Sequence, residues 1–445
     1  MTAAFHRARS NFLDWRTLAT GLLCIGGFAA GTLVTASTAV DRYGWGGGLL
    51  IGWLVGPVVG GAVALVVFLW LLPLQPPARP PCETRSREAD DPPAAPVAYE
   101  PSISLVMPVF NGRRFLQRSL PPLAAMLRRG DVLELIVVDE GSLDGSAELA
   151  AAYGATVVRP VARLGVGAAR NLGAERALGD LIWFVDPEAA AYPDSPSRIR
   201  RAFREDGVVA VFGSYDAKPP ELNFGSMYKN LLLHHRHQTA DAEASGFWSG
   251  CGAVTREALL KVGGFDVAKY RSPSIEDVEL GCRLRAAGGK IRLDRDFLAV
   301  ALKRWSMAQI VGADILQRAL PWRRLMMERH EFPASLHVSG SERLRAGLAV
   351  GVLVALAAAV AGLAPLWAPA LLSLTALTTN WRLFQTFYGR GGLLFALPAI
   401  AFHQLYYVYS AAVFGACWAE AKFPRPVGTH PRLASHHTPD GSALA

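Results

Sequence analysis

Apolar residues concentrate in two blocks near the ends of the chain and leave a more polar middle. In the first block, residues 17–40 and 49–74 are each long enough to cross a bilayer, which needs about 20 consecutive apolar residues. The short glycine-rich link between them predicts a transmembrane hairpin over residues 17–74, preceded by a basic segment at residues 1–16. An alternative interpretation makes the first run a cleaved signal peptide, because Ser37-Thr-Ala39 resembles a cleavage site.

The second apolar block predicts further membrane helices after a segment of mixed character. Residues 306–345 are interpreted as an interfacial or acceptor-side segment, residues 346–419 as transmembrane helices, and residues 420–445 as a polar tail. Within the helical region the pattern divides into apolar runs at 346–367, 371–380 and 391–418, with an aromatic and basic interfacial stretch at 381–390. The number of these spans and the side on which the chain ends stay open.

Between the two blocks, short apolar runs alternate with helical patterns. This alternation predicts an α/β domain over residues 101–305, joined to the hairpin by a Pro- and Ala-rich linker at residues 75–100. The same alternation predicts a mostly parallel sheet that helices cover on both faces, with ligands bound at the carboxyl ends of its strands. The predicted strands are 103–109, 133–138, 155–158 and 181–185, and the predicted helices are 113–127, 146–153 and 167–178.

Composition and charge support a membrane protein with one polar domain. The chain is 51% hydrophobic and only 18% charged, whereas about a quarter of the residues of a soluble protein are charged. The net charge is +8, but many arginines flank the apolar blocks, as the positive-inside rule predicts for cytosolic ends. We therefore expect an integral membrane protein with a cytosolic polar domain, and no nucleic-acid partner. The five scattered cysteines form no CxxC pair, so neither a zinc site nor a disulfide framework is expected.

Seven segments of the middle domain form a pattern that is specific through its order and spacing. The segments are 104–112 (SLVMPVFNG), 136–146 (IVVDEGSLDGS), 165–173 (GVGAARNLG), 184–188 (FVDPE), 250–256, 262–266 and 275–280. Together they resemble family 2 glycosyltransferases of the GT-A fold, and the resemblance covers about residues 102–305. It implies an inverting enzyme of a bacterial inner membrane, with its catalytic domain in the cytosol, that moves a sugar from a nucleotide-sugar donor to a lipid-linked or glycan acceptor in envelope polysaccharide or glycolipid synthesis.

Asp186 and Glu188 are the predicted ligands of a divalent cation. Breaking a sugar–diphosphate bond leaves negative charge on the departing phosphate, and a hard cation can stabilise that charge. The two acids follow a buried-type strand at spacing i, i+2. The family pattern is Asp-x-Asp, and both acids here can bind Mg²⁺ or Mn²⁺. The alternative is a plain strand-to-turn Asp-Pro with a solvated Glu.

The resemblance also implies which residues bind the donor and which perform the transfer. Asp277 would be the base that takes the proton of the acceptor hydroxyl, with Glu276 as its neighbour. The alternative for this pair is an N-cap and first-turn acid of the helix predicted at 278–287. Asp144 is interpreted as a turn residue. The expected donor-binding residues are Pro108, Phe110, Asn111, Asp139, Arg170, Asn171 and Asp186.

The acceptor side is expected to include small residues and tryptophans. Trp305 follows Lys303-Arg304, and Trp322 lies in a segment similar to the Gln-x-x-Arg-Trp element of processive synthases, with one extra residue and Pro321 in place of the Arg. An interfacial Trp and Arg belt is the alternative for both segments. By resemblance, Gly250, Cys251 and Gly252 border the donor sugar and acceptor, Cys251 as a small packing residue. His234, His235 and His237 are interpreted as a polar face near acceptor or membrane.

A second hypothesis is a non-catalytic, sugar-nucleotide-binding subunit of a glycan assembly complex. It is supported by the altered Asp-x-Glu pair and by residues 299–301, where family members often carry a metal-binding His and this chain has Ala-Val-Ala.

Overall fold

The structure is a computed structural model that describes residues 100–270, 274–321 and 340–422. The predicted N-terminal hairpin, nearly all of the linker, Trp322 and most of the polar tail lie outside the described residues.

One eight-stranded sheet forms the centre of the domain, in the order β3-β2-β1-β4-β7-β6-β8-β5. Strands β1 to β4 are mutually parallel where they pair, β7 runs antiparallel to both β4 and β6, and β8 is parallel to β6 and antiparallel to β5. The predicted α/β sheet is confirmed. Its strands are β1 Ile103–Val109, β2 Glu134–Asp139, β3 Thr156–Val158, β4 Leu181–Val185, β5 Ala189–Ala191, β6 Val208–Tyr215, β7 Cys251–Thr255 and β8 Lys290–Ala301.

Helices cover both faces of the sheet. The helix α1 packs its Leu116, Leu120 and Leu123 against one face and ends at Gly130, whose positive φ of 77° suits a residue without a side chain. The other face packs against α3 and α7. The described helices of the domain are α1 Arg113–Arg129, α2 Ser146–Ala152, α3 Val166–Arg176, α4 Ser195–Ala202, α5 Phe224–Thr239, α6 Arg256–Lys261, α7 Glu276–Ala286, α8 Met307–Gly312 and the π-helix Ala313–Ala319.

Three apolar helices follow the domain: α9 Gly340–Val360, α10 Trp367–Thr379 and α11 Trp381–Lys422. By length and hydropathy, the segments Ser341–Val360 and Trp381–Gly415 could each cross a membrane, which is weak evidence of membrane association. Helix α10 has 13 residues, a length of about 20 Å, which is short of the ~30 Å hydrocarbon core. The predicted boundary at residue 391 corresponds to a break in α11 at Gly392, where φ is 67°.

Helix α5 lies between the sheet domain and α11. One of its faces presents Tyr228, Leu231 and Leu232 to a cluster of Phe and Ala side chains from α11. The Tyr228 hydroxyl lies 2.8 Å from Nδ1 of His403 on α11. The C-terminal helices are therefore packed directly onto the domain.

Candidate active site

A cleft of about 1080 Å³ opens at the carboxyl ends of β1 and β4. We divide its lining residues into three groups and name the first group for the donor contacts that the sequence predicts there. The donor end is lined by Pro108, Phe110, Glu140 and Arg163; the middle by Arg170, Asp186, Glu188, Gly250, Glu276 and Asp277; and the far end by Ser226, Lys229, Trp305, Gln317 and Arg318. The cleft thus brings together the expected catalytic and metal-binding residues with Gly250 and Trp305 of the expected acceptor side.

Arg170 connects two acids across the middle of the cleft. Its Nη2 lies 2.7 Å from Oδ1 of Asp186, and its Nη1 lies 3.1 Å from Oε1 of Glu276. The Arg170 side chain is only 4% exposed, so it is buried in the wall of the cleft. A buried guanidinium between two carboxylates fixes both acids and keeps their charge compensated.

Asp277 lies in the first turn of α7, where Ile275 is the N-cap. The helix begins two residues earlier than predicted, so Asp277 and Glu276 belong to its first turn and neither acts as the cap. The backbone N–H and the hydroxyl of Ser249 lie 3.2 and 3.3 Å from Oδ2 of Asp277. Burial, and then the negative charge of Glu276, raise the pKa of Asp277 to about 6 against the opposing effect of Arg170. The carboxylate is therefore ionised at neutral pH yet more basic than an ordinary Asp.

Asp186 and Glu188 both line the cleft, and each is paired with a cation. Oδ1 of Asp186 is held by Arg170, and Oε1 of Glu188 lies 2.9 Å from Nζ of Lys303. The second oxygen of each carboxylate has no hydrogen-bond partner in the described ranges. These hard oxygen atoms fit Mg²⁺ or Mn²⁺, which bind through one or two carboxylates when substrate phosphates and water complete the coordination. No cluster of three or more His, Cys, Asp or Glu residues suited to a metal occurs within those ranges.

The expected donor-binding residues divide into two groups. Pro108, Phe110, Arg170 and Asp186 line the cleft. Three others do not line the cleft, and their side chains make hydrogen bonds within the protein. A donor contact by these three residues stays a prediction. Asn111 accepts a hydrogen bond from the N–H of Leu143, Asp139 accepts from Arg159 and Ser142, and Asn171 exchanges two hydrogen bonds with the backbone of Phe265.

The turn role of Asp144 is confirmed. Its Oδ1 accepts from the N–H of Ser146, and its Oδ2 accepts from the N–H of Arg113. These bonds join the loops after β1 and β2, the two loops that border the donor end. Asp144 therefore shapes this border through the backbone rather than by facing a ligand.

On the acceptor side, Gly250 lines the cleft while Cys251 and Gly252 form the buried start of β7. Burial raises the pKa of the Cys251 thiol to about 12, so it stays a protonated packing group, as expected, and not a nucleophile. Trp305 lines the far end, where Nζ of Lys303 lies 4.5 Å from its ring centroid.

The three histidines of α5 face three different neighbours. Nδ1 of His234 lies 2.8 Å from the carbonyl of Tyr215, and Nδ1 of His235 lies 2.9 Å from the hydroxyl of Thr386 on α11. His237 is buried against Phe212 and Trp248 and lines the cleft. Burial lowers the pKa of His237 to about 3, so its ring is neutral in the folded protein.

Several cleft residues were not identified from the sequence. Arg163 lies over the Phe110 ring, 3.7 Å from its centroid, although the segment around it reads as an ordinary loop. Lys229 and Arg318 reach the far end from a helix and from a π-helix that the apolar pattern does not distinguish from an α-helix. The i, i+3 spacing of Ser226 and Lys229 on the cleft face of α5 is a signal that could have identified this wall.

Residues 104–263 match the family model described as glycosyl transferase family 2. An uncharacterized glycosyltransferase of Haemophilus influenzae is 29% identical over 124 residues, which are 26% of this chain and 47% of that protein. A validoxylamine A glucosyltransferase of Streptomyces hygroscopicus subsp. limoneus is 24% identical over 232 residues, 45% of this chain and 51% of that protein. The chain thus spans about half the length, or less, of these relatives.

Among solved structures, a mannosyltransferase from Pyrobaculum calidifontis, described in complex with GDP-Man and Mn²⁺, is 17% identical with a TM-score of 0.41, covering 84% of this chain and 99% of that one. The resemblance drawn from the sequence, including the GT-A class of the fold, is confirmed by the family match over residues 104–263. The segment 275–280, which contains Glu276 and Asp277, lies beyond the matched residues. Residues 104–263 are a domain of glycosyl transferase family 2.

Proposed function

We propose that the protein is a membrane-bound inverting glycosyltransferase that moves a sugar from a nucleotide-sugar donor to a lipid-linked or glycan acceptor. The observation that carries this proposal is the position of Asp277. A half-buried carboxylate with a pKa of about 6 faces a cleft in which an Arg holds two further acids. A base of this pKa suits proton abstraction at neutral pH.

The transfer is a single displacement at the anomeric carbon. The acceptor hydroxyl forms the new glycosidic bond while the bond from the sugar to the diphosphate breaks, and Asp277 takes the hydroxyl proton. Ser249 orients the Asp277 carboxylate through two hydrogen bonds. Arg170, fixed by Asp186 and Glu276, contributes positive charge near the departing diphosphate. A divalent cation held by Asp186 and Glu188 would neutralise the remaining charge of that diphosphate.

Donor turnover by the full-length protein tests this function. The purified chain in lipid nanodiscs should release nucleoside diphosphate from a matching nucleotide sugar in the presence of Mn²⁺. The change Asp277→Asn keeps the shape of the side chain and removes the proton acceptor, so transfer should fall by about 10²- to 10⁴-fold. Donor affinity, measured by calorimetry, should stay within about twofold of the wild type because Asp277 acts on the acceptor.

The second candidate is a non-catalytic subunit that binds the sugar nucleotide. The ion pair of Lys303 with Glu188 favours it, because an ammonium group already compensates one of the two acids expected to bind a metal. The two functions give different results with the same protein. Donor binding without any turnover across a panel of nucleotide sugars and acceptors would support the subunit and refute the enzyme.

A further inference from the structure

Three cations meet at the far end of the cleft. Nζ of Lys229 and Nζ of Lys303 lie 5.7 and 4.5 Å from the centroid of the same Trp305 ring. Arg318 lines this end as well. It lies four residues after Asp314, the partner of Lys229, in the same π-helix. Burial, and then the charge of Arg318, lower the pKa of Lys229 to about 7.

Two carboxylates compensate these three cations. Lys229 pairs with the buried Asp314 at 2.5 Å, and Lys303 pairs with Glu188 at 2.9 Å. Arg318 makes no hydrogen bond or ion pair with any residue that the structure describes. The guanidinium of Arg318 therefore adds an excess positive charge to a partly buried wall, where water screens it poorly.

A residue of a third element, α11, also makes a hydrogen bond to the Lys229–Asp314 pair. The hydroxyl of Tyr409, on α11, donates to Oδ2 of Asp314 at 2.9 Å. Asp314 lies in the π-helix Ala313–Ala319, which also carries Arg318. The wider turn of a π-helix changes the direction of the side chains that follow, and such turns occur often at functional sites.

Clustered like charges are unfavourable unless an anion binds between them. A phosphate group suits this cluster, since an Arg guanidinium binds phosphate through parallel hydrogen bonds and a Lys acts as a point charge beside it. The bound phosphate would offset the repulsion between Arg318 and Lys229.

The surroundings of the cluster indicate an amphiphile. Helix α5 turns Ser226 and Lys229 to the cleft and Tyr228 to α11. Helix α5 therefore lies between the far end of the cleft and α11, and α11 exposes large apolar side chains on its outward face. These are Leu393, Leu394, Leu397 and Leu405.

We propose that the far end of the cleft binds the phosphate head group of a lipid acceptor through Arg318 and Lys229, with Asp314 and Tyr409 as positioning residues for Lys229. That this lipid is the acceptor rests on the proposed glycosyl transfer, whereas the phosphate site itself does not. A phosphate at this end has a second possible source, the diphosphate of the donor, and the experiment distinguishes the two.

The test measures binding of farnesyl phosphate and of farnesol to the full-length protein in nanodiscs, and in parallel the binding of nucleoside diphosphate with Mn²⁺. Farnesyl phosphate should bind at least tenfold more tightly than farnesol. Arg318→Gln should weaken farnesyl phosphate about tenfold or more, as expected for the loss of a charge-assisted hydrogen bond. Arg304→Gln is the matched control, because Arg304 is an exposed neighbour outside the cleft lining, and it should bind like the wild type.

Two further variants examine the buried pair. Lys229→Met alone leaves Asp314 uncompensated and can unfold the protein, so it is compared with Lys229→Met combined with Asp314→Asn, which removes both charges. The double variant should fold and bind farnesyl phosphate about tenfold more weakly. Tyr409→Phe should weaken farnesyl phosphate while the affinity for nucleoside diphosphate stays unchanged, a split that general destabilisation does not produce.

Two results overturn the proposal. Equal affinities for farnesyl phosphate and farnesol would show that no phosphate is recognised. An equal loss of nucleoside diphosphate binding in Arg318→Gln would assign the cluster to the donor. Both measurements are independent of turnover, so a failure of the proposed glycosyl transfer leaves the phosphate site separately testable.

Discussion

The charge of Glu276 should determine where the acid limb of the pH–rate profile lies. Its negative charge is the second cause, after burial, of the raised pKa of Asp277. With a pKa of about 6, roughly nine-tenths of the Asp277 carboxylate is ionised at pH 7 and roughly one-tenth at pH 5. If the ionised form is the base, kcat/KM should fall about tenfold between these two pH values.

Replacing Glu276 by Gln removes the like charge and also one of the two acids bound to Arg170. Both changes favour the ionised form of Asp277, and burial still opposes it. A decrease of about one pKa unit is expected from the loss of a close like charge. The decrease in kcat/KM between pH 7 and pH 5 should then shrink from about tenfold to about twofold.

The assay is kcat/KM for transfer between pH 4.5 and 8.5, with the full-length protein and constant Mn²⁺. Glu279→Gln is the matched control, because it removes an acid from the same helix that pairs with Arg283 and lies outside the cleft lining. It should leave the acid limb near pH 6. The assignment of the acid limb to Asp277 would be refuted by either of two results. In the first, kcat/KM of Glu276→Gln still falls near pH 6; in the second, the residual activity of Asp277→Asn falls at that same pH.

Three further outcomes are expected. Asp186→Ala should abolish transfer and also the Mn²⁺-dependent rise in melting temperature caused by nucleoside diphosphate; retained turnover would exclude Asp186 as a metal ligand. Lys303→Met removes the cation that competes for Glu188, so the Mn²⁺ concentration for half-maximal rate should decrease; an increase would mean that Lys303 assists the metal. A reporter fused within residues 75–100 should report a cytosolic location, whereas a periplasmic signal would contradict the predicted topology.

The first half of the sheet could be predicted because its signals are local. All residues of β1 and β4 are buried, so each strand reads as an uninterrupted apolar run between polar loops. The helices between them bury one stripe each, and Gly130 marks the end of α1. The observed bounds of these elements differ from the predicted ones by at most two residues.

The second half depends on pairings between distant segments. Strand β7 enters the sheet antiparallel between β4 and β6, although nothing in its five small and apolar residues specifies a direction. Strand β8 pairs with both β6 and β5. Such pairings follow from packing of the complete chain and have no local periodicity.

The residues of the site also divide into those marked by the local sequence and those placed by contacts between distant segments. Asp186, Glu188 and Asp277 were identifiable because they follow or begin regular elements within recognisable segments. The pairing of Arg170 with Glu276 joins positions 106 residues apart, and that of Lys229 with Asp314 joins positions 85 apart. A buried ion pair requires two elements to meet, so neither partner alone predicts it.

The position of α5 joins the C-terminal helices to the wall of the cleft. Its cleft face lines the far end, and its opposite face buries Tyr228, Leu231 and Leu232 against α11. A chain that ended at residue 339 would expose this apolar face to water and would remove the Tyr409 contact to Asp314, which in turn holds Lys229. The far end would then lose its shape even though every residue of the donor end and of the Arg170 cluster remained. The cleft and the apolar helices are therefore expected to fold and act as one unit.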